Sequence, residues 1–398
     1  MKSIMFNFCH VIIALLLGIL LLFSFYPAYF EFIPFIAKYD ILINIITICC
    51  VFFYFLRYRK IRSVILIVCL FTIIQLISTI FNHVDVKTSI WGRGILLLSM
   101  CGGIQWGYNY NEKMFLKIIY YLFYCLLIIN LATMFFFPGG MFENINGIKE
   151  YNFFLGNYNV FVLYFFMAGI SGFLYIKKYR GKMTVDYIIL YCVMFLTLYK
   201  MRSATSIVGI SLLLIYNMFL NNKYTRFILN IKLYTILNII FFYVVVWNSS
   251  ENLILKAITG FLKRDITFSG RAEIWKVIKP FIYQHWLIGN GLETQDVIFE
   301  KLSPVQAVHA HNIYLDILYK NGVLGFLCIV FIFFLLINKL KKVESQQMRY
   351  YLEAFLGIFM LMCQFEAYSI KFLFFMLVFI YIYASENQKK GIQLGKQQ

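Results

Sequence analysis

Arg271 and Trp275 are the first residues whose types and spacing suggest chemistry. They lie in the segment Ser269-Gly270-Arg271-Ala272-Glu273-Ile274-Trp275, where Ser269 is a suitable N-cap for a helix that begins near Arg271. Residues four apart share one face of a helix. An arginine held in this way at the level of lipid headgroups is a good bidentate ligand for phosphate. The alternative is an interfacial helix that uses the arginine and the tryptophan as membrane anchors.

Two histidines lie about forty residues further on, in His309-Ala310-His311-Asn312-Ile313-Tyr314-Leu315-Asp316. Histidine exchanges a proton near neutral pH, which suits a general base that acts on a sugar hydroxyl. The His-x-His spacing also suggests a metal, but no third ligand lies within reach in the sequence, so we expect none. The alternative is a group of polar residues that cap a helix at an interface.

Further ionisable residues lie at the predicted outer ends of apolar segments: Arg93, Lys200, Arg202 and Glu366. Charges at membrane depth are costly and indicate function, although snorkelling or an exposed turn explains the cations equally well. We expect Glu366 to form an ion pair with Lys371 or Arg93, with acid or base catalysis as the alternative. Cations beside a base suit an anionic lipid that carries a group to be transferred.

The composition shows what must position these residues. Of the 398 residues, 62% are apolar and only 14% are charged, and the mean hydropathy is +0.78. A soluble chain is nearer half apolar and a quarter charged, so this chain must lie largely in lipid. All nine cysteines lie in long apolar runs without metal-ligand or C-x-x-C spacing, so neither a disulfide framework nor a zinc site is predicted. The first apolar run lacks a small-residue cleavage site and is expected to be retained.

Twelve apolar segments have about the length that a membrane-spanning helix needs. They are Ile4–Phe25, Tyr39–Leu56, Ser63–Phe81, Thr88–Tyr108, Phe115–Phe137, Phe153–Ile176, Thr184–Tyr199, Ser203–Leu220, Leu233–Trp247, Asn312–Ile337, Tyr350–Ser369 and Lys371–Ala384. The tenth is interrupted by Asn321-Gly322, so its first part is expected to be a separate helix. The sixth opens on Gly156-Asn157-Tyr158-Asn159, whose residue types are typical of a turn.

The net charge of +18 would suggest a nucleic-acid partner in a soluble protein, but here it is first a topology signal. With the N-terminus inside, 21 of the 36 Lys and Arg residues lie in cytoplasmic connections. About half of the outer 15 lie in one long segment, which the positive-inside rule discounts. The sequence therefore predicts an all-α polytopic membrane protein of about twelve transmembrane helices with both termini in the cytoplasm, and no nucleic-acid partner.

The segment from Asn248 to His311 is the one long connection, and it contains three of the five histidines. Long loops in compact proteins are usually functional or disordered. This one has apolar helical stretches, at Leu253–Leu262 and Ile274–Trp286, and a turn at Gly289-Asn290-Gly291. We expect transmembrane helices over 1–247, a large folded extracytoplasmic loop over 248–311, transmembrane helices over 312–384 and a cytoplasmic tail over 385–398.

These motifs together resemble the O-antigen ligase / Wzy-type polysaccharide polymerase superfamily over about Ser269–Phe326. The matching features are Arg271/Trp275, Gly289/Gly291, His311-Asn312, Tyr314-Leu315 and Gly322/Gly325. Gly156-Asn157-Tyr158-Asn159 is similar to the family's Asn-Pro-Asn turn, with tyrosine in place of proline. Lys200-Met201-Arg202-Ser203 resembles the basic segment that begins the span before the loop region.

The resemblance implies a GT-C-like fold and an inverting glycosyl transfer without a cofactor or metal. Its donor is a glycan on undecaprenyl diphosphate, used on the outer face of the bacterial cytoplasmic membrane. His311 and Arg271 are then the catalytic residues. Substrate contacts are expected from Arg202, Arg93, His309, Lys200, Trp275, Asn312 and Tyr314. A flippase and a chain-length regulator of the same pathway are the implied protein partners, beside the lipid bilayer.

Three functions compete. A polymerase transfers the growing glycan to a lipid-linked repeat unit, and a ligase transfers it to a different acceptor. We favour the polymerase, because a composition rich in Lys, Asn, Ile, Tyr and Phe is typical of AT-rich bacterial genomes and suggests a capsular system. A lipid or polysaccharide transporter is the third candidate, but transporters usually place charged or broken helices near the bilayer midplane, and here the span centres are almost free of charge.

Overall fold

The computed structural model describes residues 2–33, 42–43, 45–49, 52, 55–56, 61–87, 94–142, 151–200, 203–218, 231–248 and 271–388. These residues are helical almost throughout. Instead of a sheet, they contain isolated bridges such as Phe142 with Asn152.

The helices are numbered here in chain order. They are α1 (Lys2–Ser24), α2 (Ser63–Phe81), α3 (Ile95–Tyr110), α4 (Glu112–Phe136), α5 (Tyr158–Tyr179), α6 (Val185–Lys200), α7 (Ala204–Met218), α8 (Ile231–Phe241), α9 (Arg271–Gln284), α10 (Gln295–Lys301), α11 (Ile313–Leu340), α12 (Gln346–Met362) and α13 (Ile370–Glu386). Helix α8 continues into a π-helical segment, Phe242–Trp247.

Four of these helices are long and apolar enough to cross a bilayer: α2, α4, α5 and α11. Shorter apolar helices lie at His10–Ser24, Thr205–Tyr216 and Ile231–Trp247. The prediction of an all-α membrane protein is therefore confirmed. The number of twelve spans and their orientation stay predictions.

Helices α5 and α13 form the centre of the bundle. Of the most apolar window of α5, 89% is buried, and every residue of α13 from Phe372 to Ala384 is buried. A helix that is apolar on all sides is typical of a buried or membrane-spanning position. Helix α4 packs along α5, while α13 contacts α2, α3 and α11.

The structure corrects the bounds of two predicted spans near the site. The span Phe153–Ile176 begins only at Tyr158, because Gly156 adopts a φ of 115° in the preceding turn. The span Tyr350–Ser369 ends at Met362, so the residues up to Ser369 form a loop. The span Tyr39–Leu56 is described only in part, at residues 42–43, 45–49, 52 and 55–56.

Helix α11 is interrupted at Gly322, as predicted, where φ is 61° and ψ is −166°. Such a break leaves backbone groups without their helical partners. The turn at 286–291 supplies the replacements. Asn290 N donates to Tyr319 O at 2.7 Å and Gly291 N donates to Lys320 O at 3.0 Å.

The reciprocal bonds run from the second half of α11 back to the same turn. Val323 N donates to Trp286 O at 2.8 Å and Leu324 N donates to Leu287 O at 3.1 Å. A Cβ on Gly322 would lie 2.4 Å from Leu287 O. Gly289 of the first motif and Gly322 of the second thus bring two backbones into contact, which is a structural role.

The described part of the long loop, residues 271–312, has an apolar core of its own. Trp275 lies at its centre and is fully buried. It packs with residues of α9, α10, the π-helical segment and the first half of α11; these include Ile274, Ile278, Ile298, Leu302, Val246, Leu315 and Leu318. The loop is therefore folded and rests on α8 and α11. Residues 249–270, with the predicted stretch Leu253–Leu262, lie outside the described residues.

Candidate active site

The loop that carries the two histidines has a constrained backbone. His311 has a φ of 46°, the left-handed region, which is uncommon for a residue other than glycine. Strain of this kind persists only where neighbouring contacts impose it, and it is concentrated at functional sites. The contacts on either side of His311 supply that constraint.

Asn312 fixes the chain immediately after His311. It is the N-cap of α11, and its Oδ1 accepts from the backbone N–H groups of Tyr314 and Leu315 at 3.0 Å each. Its Nδ2 donates to Gln364 O at 2.9 Å. Asn312 is fully buried, so it ties the histidine loop to the loop between α12 and α13.

Trp275 fixes the chain immediately before His311. Its indole Nε1 donates to Ala310 O at 2.9 Å, and both residues are fully buried. The alternative of a tryptophan anchored at the membrane surface is therefore wrong for Trp275. Its position four residues after Arg271 instead places the arginine and the histidine loop on the same side of α9.

Glu366 brings the two predicted catalytic residues together. Its carboxylate Oε2 lies 3.4 Å from Arg271 Nη2, and its Oε1 lies 3.2 Å from His311 Nδ1. The Glu366 side chain is only 8% exposed, against 19% for Arg271 and 30% for His311. We expected Glu366 to pair with Lys371 or Arg93. In the structure its partners are Arg271 and His311 instead.

The contact between His311 and Glu366 is within ion-pair distance, but its angles are not those of a hydrogen bond. His311 Nδ1 is buried, and no described group hydrogen-bonds to it. Catalytic hydrogen bonds are often poorly aligned before the substrate binds. We therefore interpret the contact as a carboxylate–imidazole pair whose hydrogen bond forms when the substrate binds.

Asn159 holds Glu366 from the opposite side. Its Nδ2 donates to Glu366 Oε2 at 2.9 Å, and its Oδ1 accepts a short hydrogen bond from the hydroxyl of Ser203. Asn159 lies in the first turn of α5, where Asn157 is the N-cap. From the sequence, Gly156–Asn159 is expected to be a turn similar to the family's Asn-Pro-Asn turn, with no site role for Asn159. The usable signal was a second asparagine, at the start of a long apolar helix.

The pKa values of the site follow from this arrangement. Burial raises the pKa of the Glu366 carboxyl, but the charges and contacts of His311, His309 and Arg271 outweigh it and leave the pKa below its usual value. Burial, followed by the charge of His311, lowers the pKa of His309 to about 4. At neutral pH the site therefore contains an ionised carboxylate beside a neutral His309.

His309 stacks at a tilt against His311, with ring centroids 4.0 Å apart. Its Nδ1 accepts a hydrogen bond from the backbone N–H of His311 at 3.3 Å. One ligand atom each from His309, His311 and Glu366 lie within 4.8 Å of one another. The loop between α12 and α13 thus places a third potential ligand atom beside the two histidines, which the local sequence did not offer.

The remaining predicted site residues lie elsewhere or outside the described residues. Tyr314 donates its hydroxyl to Met360 O at 3.2 Å, which is a contact with the backbone of α12. Lys200 ends α6, with its Nζ 4.9 Å from the ring centre of Phe135. Arg93 and Arg202 lie outside the described residues. Ser203, which follows Arg202 directly, reaches the site through Asn159.

One family model matches the chain. It is described as "O-Antigen ligase" and covers residues 187–330, which run from α6 into α11 and include Arg271 and both histidines of the site. No curated protein matches the chain. This match, over part of the chain, confirms the resemblance read from the motifs to the O-antigen ligase / Wzy-type superfamily.

Proposed function

We propose that this protein is a polysaccharide polymerase. It transfers a growing glycan from undecaprenyl diphosphate to a lipid-linked repeat unit on the outer face of the bacterial cytoplasmic membrane. The observation that carries the proposal is the position of Glu366. One buried carboxylate contacts both Arg271 and His311. The arginine that would bind phosphate and the histidine that would act as base therefore lie at one site.

His311 acts as the general base. Because Nδ1 lies 3.2 Å from Glu366 Oε1, the nearby carboxylate favours the proton on Nδ1, and Nε2 keeps its lone pair. The acceptor hydroxyl loses its proton to Nε2 as its oxygen attacks the anomeric carbon. The bond from that carbon to the phosphate oxygen breaks, and its electron pair leaves with the diphosphate. A single displacement inverts the anomeric centre and needs no carboxylate nucleophile.

Arg271 stabilises the leaving diphosphate. One of its terminal nitrogens faces Glu366, and a guanidinium has five N–H donors, so several remain for phosphate oxygens. Charge that develops on the diphosphate is then met by a preorganised cation. We assign a supporting role on the same diphosphate to Arg202 and Arg93, and to Lys200 at the end of α6.

The structure changes the roles that we propose for four predicted substrate contacts. Three of them form hydrogen bonds with the protein backbone through their polar groups: Trp275, Asn312 and Tyr314. We propose that they position the histidine loop rather than bind the glycan. His309 supports the backbone of His311. A flippase and a chain-length regulator remain the proposed partners.

The second candidate is a ligase, which the name of the matching family favours. The test is incubation of the purified protein with an undecaprenyl-diphosphate-linked repeat unit in EDTA, without any other acceptor. A ladder of products identifies a polymerase, and His311→Ala is the inactive control. Product that forms only after another acceptor is added identifies a ligase, and activity that disappears in EDTA contradicts the metal-independent mechanism.

A further inference from the structure

We infer that His309, His311 and Glu366 bind one transition-metal ion, of which Zn²⁺ is the physiological example, and that the occupied site is inhibited. The inhibition rests on the proposed function; the binding does not. The groups come from two loops that Asn312 joins through its hydrogen bond to Gln364 O, so the fold brings them together without an ion.

The distance between His311 and Glu366 fits two ligands of one small ion, and a small movement of His309 would complete the set, because its ligand atom lies within 4.8 Å of theirs. Two ligand atoms, each about 2.0–2.1 Å from a tetrahedral Zn²⁺, lie about 3.3–3.4 Å apart. His311 Nδ1 and Glu366 Oε1 are 3.2 Å apart. His311 Nδ1 is also buried without a hydrogen-bonding partner among the described residues. A buried nitrogen without a partner is uncommon in folded proteins, and an ion is one of the partners that satisfy it.

The two oxygens of Glu366 have separate tasks. Oε2 accepts from Asn159 and faces Arg271, whereas Oε1 faces His311. An ion on Oε1 therefore leaves the existing contacts of Oε2 in place. Hydrogen bonds of this type to a ligating carboxylate are the usual outer support of a metal site.

The ligand set selects the class of ion. Two imidazole nitrogens and one carboxylate oxygen suit Zn²⁺ and Co²⁺. Mg²⁺ and Ca²⁺ prefer oxygen ligands alone. Three protein ligands also leave a fourth position open for water or a substrate oxygen.

Two features make the site reversible rather than structural. Arg271 places a positive charge 3.4 Å from the ligating carboxylate, which opposes a cation. His309 Nδ1 accepts a 3.3 Å hydrogen bond from His311 N. Ligation through Nδ1 uses the lone pair that accepts this bond, and ligation through Nε2 places the ring proton on Nδ1. Either mode therefore ends the hydrogen bond. The ion would also prevent His311 from pairing with Glu366 as a base.

The binding test uses the full-length protein in detergent, stripped with EDTA and titrated with Co²⁺. We expect one Co²⁺ per chain, with the strong visible absorption of four-coordinate cobalt, and displacement by Zn²⁺. Glu366→Gln and His309→Asn should each weaken binding by about tenfold or more. His285→Asn, which changes an exposed histidine of the same loop, should bind as the wild type does.

Because Glu366 also contacts Arg271 and Asn159, its substitution could disturb the fold, so each variant is first compared with the wild type by gel filtration. His309→Asn leaves those contacts in place and tests the site independently. Absence of Co²⁺ binding, equal binding by all variants, or a thiolate-to-cobalt absorption band would overturn the site. Binding without Zn²⁺ inhibition would overturn the inhibited state. If the metal-free protein makes no polymer but binds Co²⁺ as expected, the proposed function fails and the site stands.

Discussion

Arg271 Nη2 lies 3.4 Å from Glu366 Oε2, although the two residues are 95 positions apart in the sequence. The same carboxylate reaches His311 with its other oxygen. A buried charge that loses its partner is strongly destabilised. Glu366 is therefore the residue through which the arginine and the histidine depend on one another, and variants of all three should affect a common function.

His311→Ala should lower polymer formation by about 10²–10⁴-fold, the usual contribution of a positioned base. Protein abundance should be unchanged, because Glu366 keeps its contacts with Arg271 and Asn159. The His311 side chain is also 30% exposed and is not part of the apolar core. The measurement is a gel of lipid-linked products beside an immunoblot. His285→Ala, on the exposed face of the same loop, is the control, and normal chain lengths in His311→Ala would remove the proposed base.

Arg271→Ala should lower the rate by about 10²–10³-fold, as the loss of one electrostatic stabiliser does. Arg271→Lys keeps the charge but lacks the planar fork, so its rate should lie between those of alanine and the wild type. Initial rates with the lipid-linked repeat unit measure both. Lys276→Ala removes an exposed cation from the same helix and should leave the rate unchanged; an equal loss in Lys276→Ala would reduce Arg271 to a general surface charge.

Asn159→Ala should weaken catalysis by freeing Glu366 on one side. Hydrogen bonds to charged groups contribute about 1.5–3 kcal/mol, so the rate should fall by about tenfold or more, and Asn159→Asp should fall further through repulsion of Glu366. Asn157→Ser keeps an N-cap of α5 and is the matched control. The role of Asn159 is contradicted if Asn159→Ala and Asn159→Asp both react at the wild-type rate.

Gly322→Ala should destabilise the junction between α11 and the loop by more than about 1–2 kcal/mol. Its positive φ is costly for alanine, and the new Cβ would lie 2.4 Å from the backbone of Leu287. Gly139→Ala is the comparison, since a Cβ there has nothing within 4 Å. Thermal unfolding in detergent measures the difference, and equal midpoints for both variants would refute the close contact.

Acidification should destabilise the metal-free protein through His309. Its folded-state pKa of about 4 lies below the ordinary value of 6.5. The unfolded chain therefore binds more protons between these values, and stability is lost as the pH falls through that window, by at most about 1.4 kcal/mol per pH unit. Glu366, whose pKa is also lowered, adds a loss in the same direction below its ordinary value of 4.5.

Unfolding is measured in EDTA between pH 7 and 4. His309→Asn removes the first of the two groups, so its stability should change less than that of the wild type between pH 6.5 and 4.5. A stability that rises on acidification would contradict the burial of a neutral His309.

The motif residues Arg271 and His311 could be predicted from the sequence, whereas the partners of Glu366 could not. Arg271 and His311 were identified from their order in a motif, which needs no coordinates. The sequence places Glu366 at the outer end of a predicted span and pairs it with Lys371 or Arg93, because proximity along the chain or at a helix end is the only guide that a sequence offers. Lys371 instead lies over the ring of Tyr26, with its Nζ 5.4 Å from the ring centre.

By itself, the sequence determined that the chain lies in a membrane, because 62% apolar and 14% charged residues leave too little polar surface for water. It also predicted the break in α11, since Asn321-Gly322 interrupts an apolar run. Only the tertiary structure decided that the glycines of the loop meet that break, and that Glu366 joins Arg271 to His311. These contacts link distant segments, and long-range pairing depends on how the helices pack rather than on the local pattern of any one of them.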